Sequence, residues 1–156
     1  MTFNSHIQDI KAKCYKRLNI IKILKHKSWG LTPNTLKNIY YALIRSIIDY
    51  SSTIFDILCE TRKRELRSIQ YHALKIAYNK PLMFSHSELL QLANVKTIDE
   101  RSKETNERYF EKSFIFNNEL TSDTIINYLN IYPDSREPKF KTILCNYRGI
   151  IKHYFS

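Results

Sequence analysis

The sequence predicts an all-α protein, an irregular bundle of about five to six helices. Three observations predict it. Apolar residues recur at three- and four-residue spacing through segments too long for ordinary strands. Helix-start patterns such as Ser-x-x-Gln and Thr-x-x-Glu stand ahead of those segments. Glycine and proline punctuate those segments, as Gly30 and Pro33 do between the first two and Pro81 does after the third.

The elements follow in order. Ser5-His6-Ile7-Gln8 has capping-box spacing, so a first helix is expected to start there. Its buried stripe is Ile7, Ile10, Cys14, Leu18, Ile21 and Leu24. Gly30 ends that segment, and Thr32-Pro33 reads as an N-cap followed by proline at the first helical position. The second helix runs to about Tyr50. Its apolar side, with Leu36, Ile39, Leu43, Ile47, Tyr40 and Ile44, is wide enough for two neighbours, which places it centrally.

After it, Tyr50, Ser51, Ser52 and Phe55 form a structural corner. The serines are expected to satisfy freed helix carbonyls or start a turn in place of glycine, while both rings bury. A third helix spans roughly 61 to 78, with Leu66, Ile69, Ala73, Leu74 and Ala77 inward. A short helix opens at Ser85-His86-Ser87-Glu88, with Leu89, Leu90 and Leu92 inside. Thr97-Ile98-Asp99-Glu100 opens the next, which reaches about Asn118. On it, Asp99 with Lys103 and Glu104 with Arg108 stand at ion-pair spacing, and Tyr109, Phe110, Phe114 and Phe116 form an aromatic cluster. Beyond residue 119 the pattern fades to a short helix near 122 to 130, a loop through Pro133 and Pro138, and an apolar tail whose type the pattern leaves open.

A chain of 156 residues is the size of one domain and buries roughly 70% of its extended-chain surface. No apolar run reaches the ~18 residues of a membrane span, and the N-terminus lacks a signal-peptide pattern, so an intracellular site, cytoplasm or nucleus, is expected. Cys14, Cys59 and Cys145 are odd in number and far apart, which fits reduced thiols.

Net charge is +10. Residues 1 to 96 carry 16 Lys and Arg against 6 Asp and Glu, and residues 97 to 156 carry 9 against 9, so all the excess lies in the first part. A domain this basic suits a polyanion, most often nucleic acid. A composition crowded with Lys, Ile, Asn and Tyr also follows from an AT-rich coding sequence. Arginines are harder to explain that way.

Catalytic patterns are missing. Two glycines exclude a glycine-rich phosphate cradle. The five histidines are scattered, without metal-ligand spacing, and no Asp-Asp pair exists to hold two metal ions for nucleotidyl transfer. No cofactor, metal site, catalytic residue or small-molecule substrate is expected.

Four blocks stand in a suggestive order: Phe3-Asn4-Ser5-His6-Ile7 before a Lys-rich helix, then "NIYYALIRSIIDYSSTIF", "LRSIQYHALKIAYN" and "ELLQLANVKTIDER". Over residues 3 to 101 this order resembles the region after the palm in reverse transcriptases of non-LTR (LINE-type, jockey-like) retrotransposons. Ser51, Phe55, Tyr71 and Lys75 depart from that pattern, where glycine, tryptophan, asparagine and arginine are common. The aromatic-Ala-Asp-Asp palm motif is absent and would lie before Met1.

The resemblance implies that residues 1 to 118 form a thumb and post-thumb bundle, with 119 to 156 an extension, and that the chain is a non-catalytic polymerase fragment. Its implied partners are an RNA-DNA hybrid or RNA duplex backbone and the missing palm. Arg62, Lys63, Arg64, Arg67 and Lys75 are the expected phosphate contacts, with Lys13, Lys16 and Lys27 a second set. The alternative is a stand-alone helical DNA-binding or protein-interaction module.

Overall fold

The computed structural model describes residues 3–115, 119–132 and 143–155. Among them the chain is all-α, with no strand. The long element α1 (Phe3–Leu24) is already helical at Phe3, so Ser5 lies inside it and is not its cap. Its expected seam holds: Ile7, Ile10, Cys14, Leu18 and Ile21 are each at most 3% exposed, and Leu24 packs at the edge. Burying each such aliphatic side chain stabilises the fold by about 1.5–3 kcal/mol before ordering entropy is counted.

A single 3-10 turn (Lys27–Trp29) and Gly30, at φ +59°, lead to α2 (Pro33–Tyr40). Thr32 caps α2 as its sequence implies, its Oγ1 accepting from the Thr35 amide at 3.2 Å. The helix does not run on evenly. Residues Tyr41–Arg45 form a wide π-turn, in which the Ser46 amide reaches back to the Tyr41 carbonyl, and α3 (Ser46–Tyr50) completes the rod. The seam on this rod is Leu36, Tyr40, Ile44 and Ile48, with Ile39, Leu43 and Ile47 partly buried beside it. It packs on α1, on α5 (Glu60–Ala77) and on α7 (Ile98–Ile115), the central place its wide apolar side implied.

The corner is a single residue wide. The Ser51 amide closes the old helix on the Ile48 carbonyl, and the Ser51 carbonyl accepts the first amides of α4 (Ser52–Ile57), from Ile54 and Phe55 at 3.0 Å each. Ser51 Oγ donates to the Ile47 carbonyl at 3.2 Å, the freed-carbonyl role expected of it. Phe55 is buried. Tyr50 is not: it is 90% exposed, because two residues from Ile48 lies about 200° round the helix from the buried seam.

Helices α1 and α5 run parallel. Lys11 pairs with Glu65 at 3.0 Å, and Lys25 donates to Asn79 at 2.7 Å, so an equal advance along each chain keeps them in register. Leu66, Ile69, Ala73, Leu74 and Ala77 face the core as expected. Asn79 at φ +53° ends α5, and Asn94 at φ +49° ends α6 (His86–Ala93). In each case the next amide reaches five residues back, Lys80 to Lys75 and Val95 to Leu90. Those are Schellman closures in which asparagine supplies the left-handed residue that glycine usually gives. This is how a chain with two glycines stops its helices.

On α6 the seam is Leu89 and Ala93, with Leu90 partly buried; Leu92 is half exposed because this short helix is covered mainly by α5. The Ser85 capping box does not form, since Ser85 Oγ meets Ser87 Oγ instead. The Thr97 box does: the Glu100 amide donates to Thr97 Oγ1 at 3.1 Å, and Glu100 accepts from the Thr97 amide at 2.9 Å. Thr97→Ala is expected to lower unfolding free energy by about 1 kcal/mol, read by urea denaturation; an unchanged midpoint would mean the cap adds nothing.

A second, smaller core gathers Phe110 of α7, Ile125 of α8 (Glu119–Ile131), Tyr147, and Ile151 of α10 (Arg148–Phe155), with α9 (Ile143–Asn146) beside it. The tail left open by the pattern is therefore helical over its described part. Phe110 is buried against Tyr147 while Tyr109 is half exposed. The Phe114 side chain, Phe116 and the loop through Pro133 and Pro138 lie outside the described residues. None of the helices described is long and apolar enough to cross a membrane.

Candidate nucleic-acid interface

The basic run of α5 sits at the N-terminal end of the α1–α5 pair. Most of its cations are already held. Arg62 Nη1 donates to both Glu65 oxygens at 3.2 and 3.0 Å, and Lys11 meets the same carboxylate, so the Glu65 pKa is lowered by Lys11 and then Arg62. Lys63 donates to the Asp56 carbonyl at 3.3 Å and lies 5.5 Å from the centre of the Phe55 ring. Arg67 forks onto both oxygens of Asp99 and also reaches Glu60. Lys75 is 7% exposed, its ammonium 2.6 Å from the Leu82 carbonyl.

Arg64 differs. Its side chain is 77% exposed, with Glu60 at a loose 3.7 Å.

The Arg67–Asp99 fork replaces the expected Asp99–Lys103 pair. Lys103 instead approaches Glu107 at 3.8 Å, while Glu104–Arg108 forms at 3.1 Å as its spacing implied. Partial burial raises the Asp99 pKa, but the Arg67 hydrogen bonds and charge outweigh that and hold it below the ordinary carboxylate value. A depressed folded-state pKa stabilises above the unfolded value. The fork is thus in place at neutral pH and is lost as pH falls through the lowered pKa of Asp99.

The second set of cations is arranged differently. Lys13, Lys16 and Lys22 are exposed on α1 with no acidic partner among the described residues, Lys13 and Lys22 flanking the buried seam about 180° apart and Lys16 standing on the solvent side between them. The Lys27 side chain lies outside the described residues. Asp9 is the one acid on α1, against Lys11, Lys13, Lys16, Arg17 and Lys22. Arg17 donates inward to the Leu43 carbonyl at 2.7 Å. Tyr15 and Ile20 stand between these lysines, and Ile23 and Trp29 follow, all between 44% and 63% exposed.

Ile20 and Ile23, opposite the seam, and Lys22 at its edge were legible in the sequence by subtraction. The buried stripe of α1 names its own opposite face.

Chemistry beyond charge is sparse. Cys14 is buried, and burial, opposed weakly by Arg17, pushes its thiol up to about 11, which makes it unreactive at neutral pH. Cys59 is a free, exposed thiol, and Cys145 Sγ accepts from the Tyr128 hydroxyl at 3.2 Å. Among the described residues no three His, Cys, Asp or Glu side chains gather as a metal site would need. The chain matches no protein-family model, no curated protein and no solved structure.

Proposed function

We propose that the protein is a non-catalytic helical module that holds a nucleic-acid duplex, an RNA-DNA hybrid above all, by its phosphates. That is the role the resemblance to a retrotransposon polymerase thumb implies. The observation that carries it is the solvent-facing half of α1, around which Lys13, Lys16 and Lys22 stand exposed with no acidic partner among the described residues. The α5 run has Glu60, Glu65 and Asp99 beside it and holds the bundle together, with Arg64 as its one cation open to a phosphate. Contacts of this kind position a duplex and carry no sequence information.

The test is binding of the full chain to an RNA-DNA hybrid across a salt titration. Affinity is expected to fall steeply with salt. Replacing Lys13, Lys16 and Lys22 together by alanine is expected to lower the log–log salt slope by about 3, roughly one per phosphate contact. Arg64→Ala is expected to remove at most about one further unit. No binding at low salt, or a triple variant with an unchanged slope, overturns the reading. Exposed Ile20, Ile23 and Trp29 favour a second reading, a protein-binding face, whose affinity would be nearly indifferent to salt.

A further inference from the structure

Away from α1, the structure holds a cavity of about 400 Å3 between the π-turn and the α6–α7 linker, lined by Tyr41, Arg45, Asp49, Asn94, Lys96 and Arg101. That volume lies within the range of small-ligand pockets. We propose that it is a binding site for a phosphate monoester carried on a nucleoside.

The charge fits that ligand. The wall bears three cations, Arg45, Lys96 and Arg101, against one anion, Asp49, a balance of +2. A monoester carries close to −2 at neutral pH, whereas a strand's internal diester carries −1. Glu104 stands behind the wall, shared by Lys96 at 2.9 Å, Arg108 at 3.1 Å and, more loosely, Arg101 at 3.5 Å, so one carboxylate serves three cations.

The cations are set for recognition in different ways. Arg45 is 3% exposed and fixed, its Nε on Asp49 at 2.9 Å and its two terminal nitrogens on the carbonyls of Lys96 at 3.2 Å and Thr97 at 3.1 Å. With Nη1 also 3.5 Å from the Tyr40 hydroxyl, nearly all its N–H groups are engaged, so it gives the wall fixed positive charge, and the open donors are those of Lys96 and Arg101. Arg101 is held loosely, 3.5 Å from both Asp49 and Glu104, and can shorten onto a ligand. Lys96 is 64% exposed at the rim.

The rest of the wall suits a nucleoside. Tyr41, Arg45 and Asp49 recur every fourth residue along one face, so an aromatic ring stands beside the cationic floor. The Tyr41 ring is braced by Tyr40, 5.4 Å away. Bases stack on such rings without regard to identity. Asn94 occupies a left-handed position that glycine would fill equally well for the fold, and it adds an amide to the wall.

The test follows amide shifts of the full chain on titration with AMP and with adenosine, then with one short oligonucleotide carrying either a 5′-phosphate or a 5′-hydroxyl. AMP is expected to perturb residues 41, 94, 96 and 101, with adenosine at least tenfold weaker. Lys96→Gln with Arg101→Gln, both exposed enough to leave the core intact, is expected to weaken AMP by more than tenfold. Binding of free AMP identifies a nucleotide site. Perturbation by the 5′-phosphorylated strand alone identifies a strand-end site. AMP equal to adenosine with both strands alike, or perturbations unaltered in the double variant, overturn the proposal. Because Lys13, Lys16 and Lys22 stay intact throughout, failure here leaves the α1 reading standing.

Discussion

Arg45→Ala is expected to lower the unfolding free energy by about 3 kcal/mol or more, among the largest losses available to any charged residue of the chain. The reason is where this arginine sits. It belongs to the central rod, yet its terminal nitrogens bond carbonyls of the α6–α7 linker about fifty residues later, and its Nε holds Asp49 on its own helix. One side chain thus fastens the start of α7 to the centre of the bundle.

Truncation would leave each carbonyl one partner, the Arg101 amide at 3.2 Å for Thr97 and Gln70 Nε2 at 3.0 Å for Lys96, so the main loss falls on Asp49 and on the tie between rod and linker. Asp49 would keep only Arg101, at 3.5 Å. Tyr40 is fully buried, and burial pushes its hydroxyl up to about 12 against the pull of Arg45, so it stays a neutral neighbour that cannot replace the lost charge. Arg45→Lys is expected to recover less than half of the loss, since one ammonium cannot span Asp49 and two carbonyls with fixed geometry. Chemical denaturation of the three proteins decides it. Variants within about 0.5 kcal/mol of the parent would show that the linker is held by packing alone.

The same residue shows what a sequence does and does not reveal. The seam of α1, the Thr32-Pro33 start and the Thr97 box were legible because each is a relation between residues within one or two helical turns. Nothing in the sequence singles out Arg45, because its partners lie on a linker with no periodic signal. Likewise Arg67 looks like a phosphate contact until the fold brings Asp99, thirty-two residues on, against it.

The candidate site shifted for this reason. Charge is visible in composition, but its neutralisation depends on tertiary neighbours. Asparagine as a left-handed helix stop was open to reading at Asn79 and Asn94, and the scarcity of glycine was the clue.

Asp56→Ala is expected to lower stability by about 3 kcal/mol and, more tellingly, to loosen the C-terminal helices first. The Asp56 carboxylate accepts from Ser102 Oγ at 3.0 Å, from Asn106 Nδ2 at 2.7 Å and from the Tyr147 hydroxyl. Ser52 joins the network, its carbonyl accepting from Ser102 at 2.9 Å and its hydroxyl donating to Asn106 at 3.3 Å. Without the carboxylate, Ser102 and Asn106 still have Ser52, but Tyr147 loses its acceptor in a site whose burial, together with Asp56, already raises its pKa.

Tyr147 is also the residue through which α9 and α10 rest on Phe110. Tyr147→Phe is therefore the control. It removes one bond to a charged group, about 1.5 kcal/mol, and leaves the corner untouched. Hydrogen exchange is expected to show protection falling over residues 144 to 155 in both variants, while α1 and α5 keep theirs, because their core is a separate cluster. Uniform loss of protection across all helices would refute this, and would mean that the two cores melt as one cooperative unit joined through the serine corner.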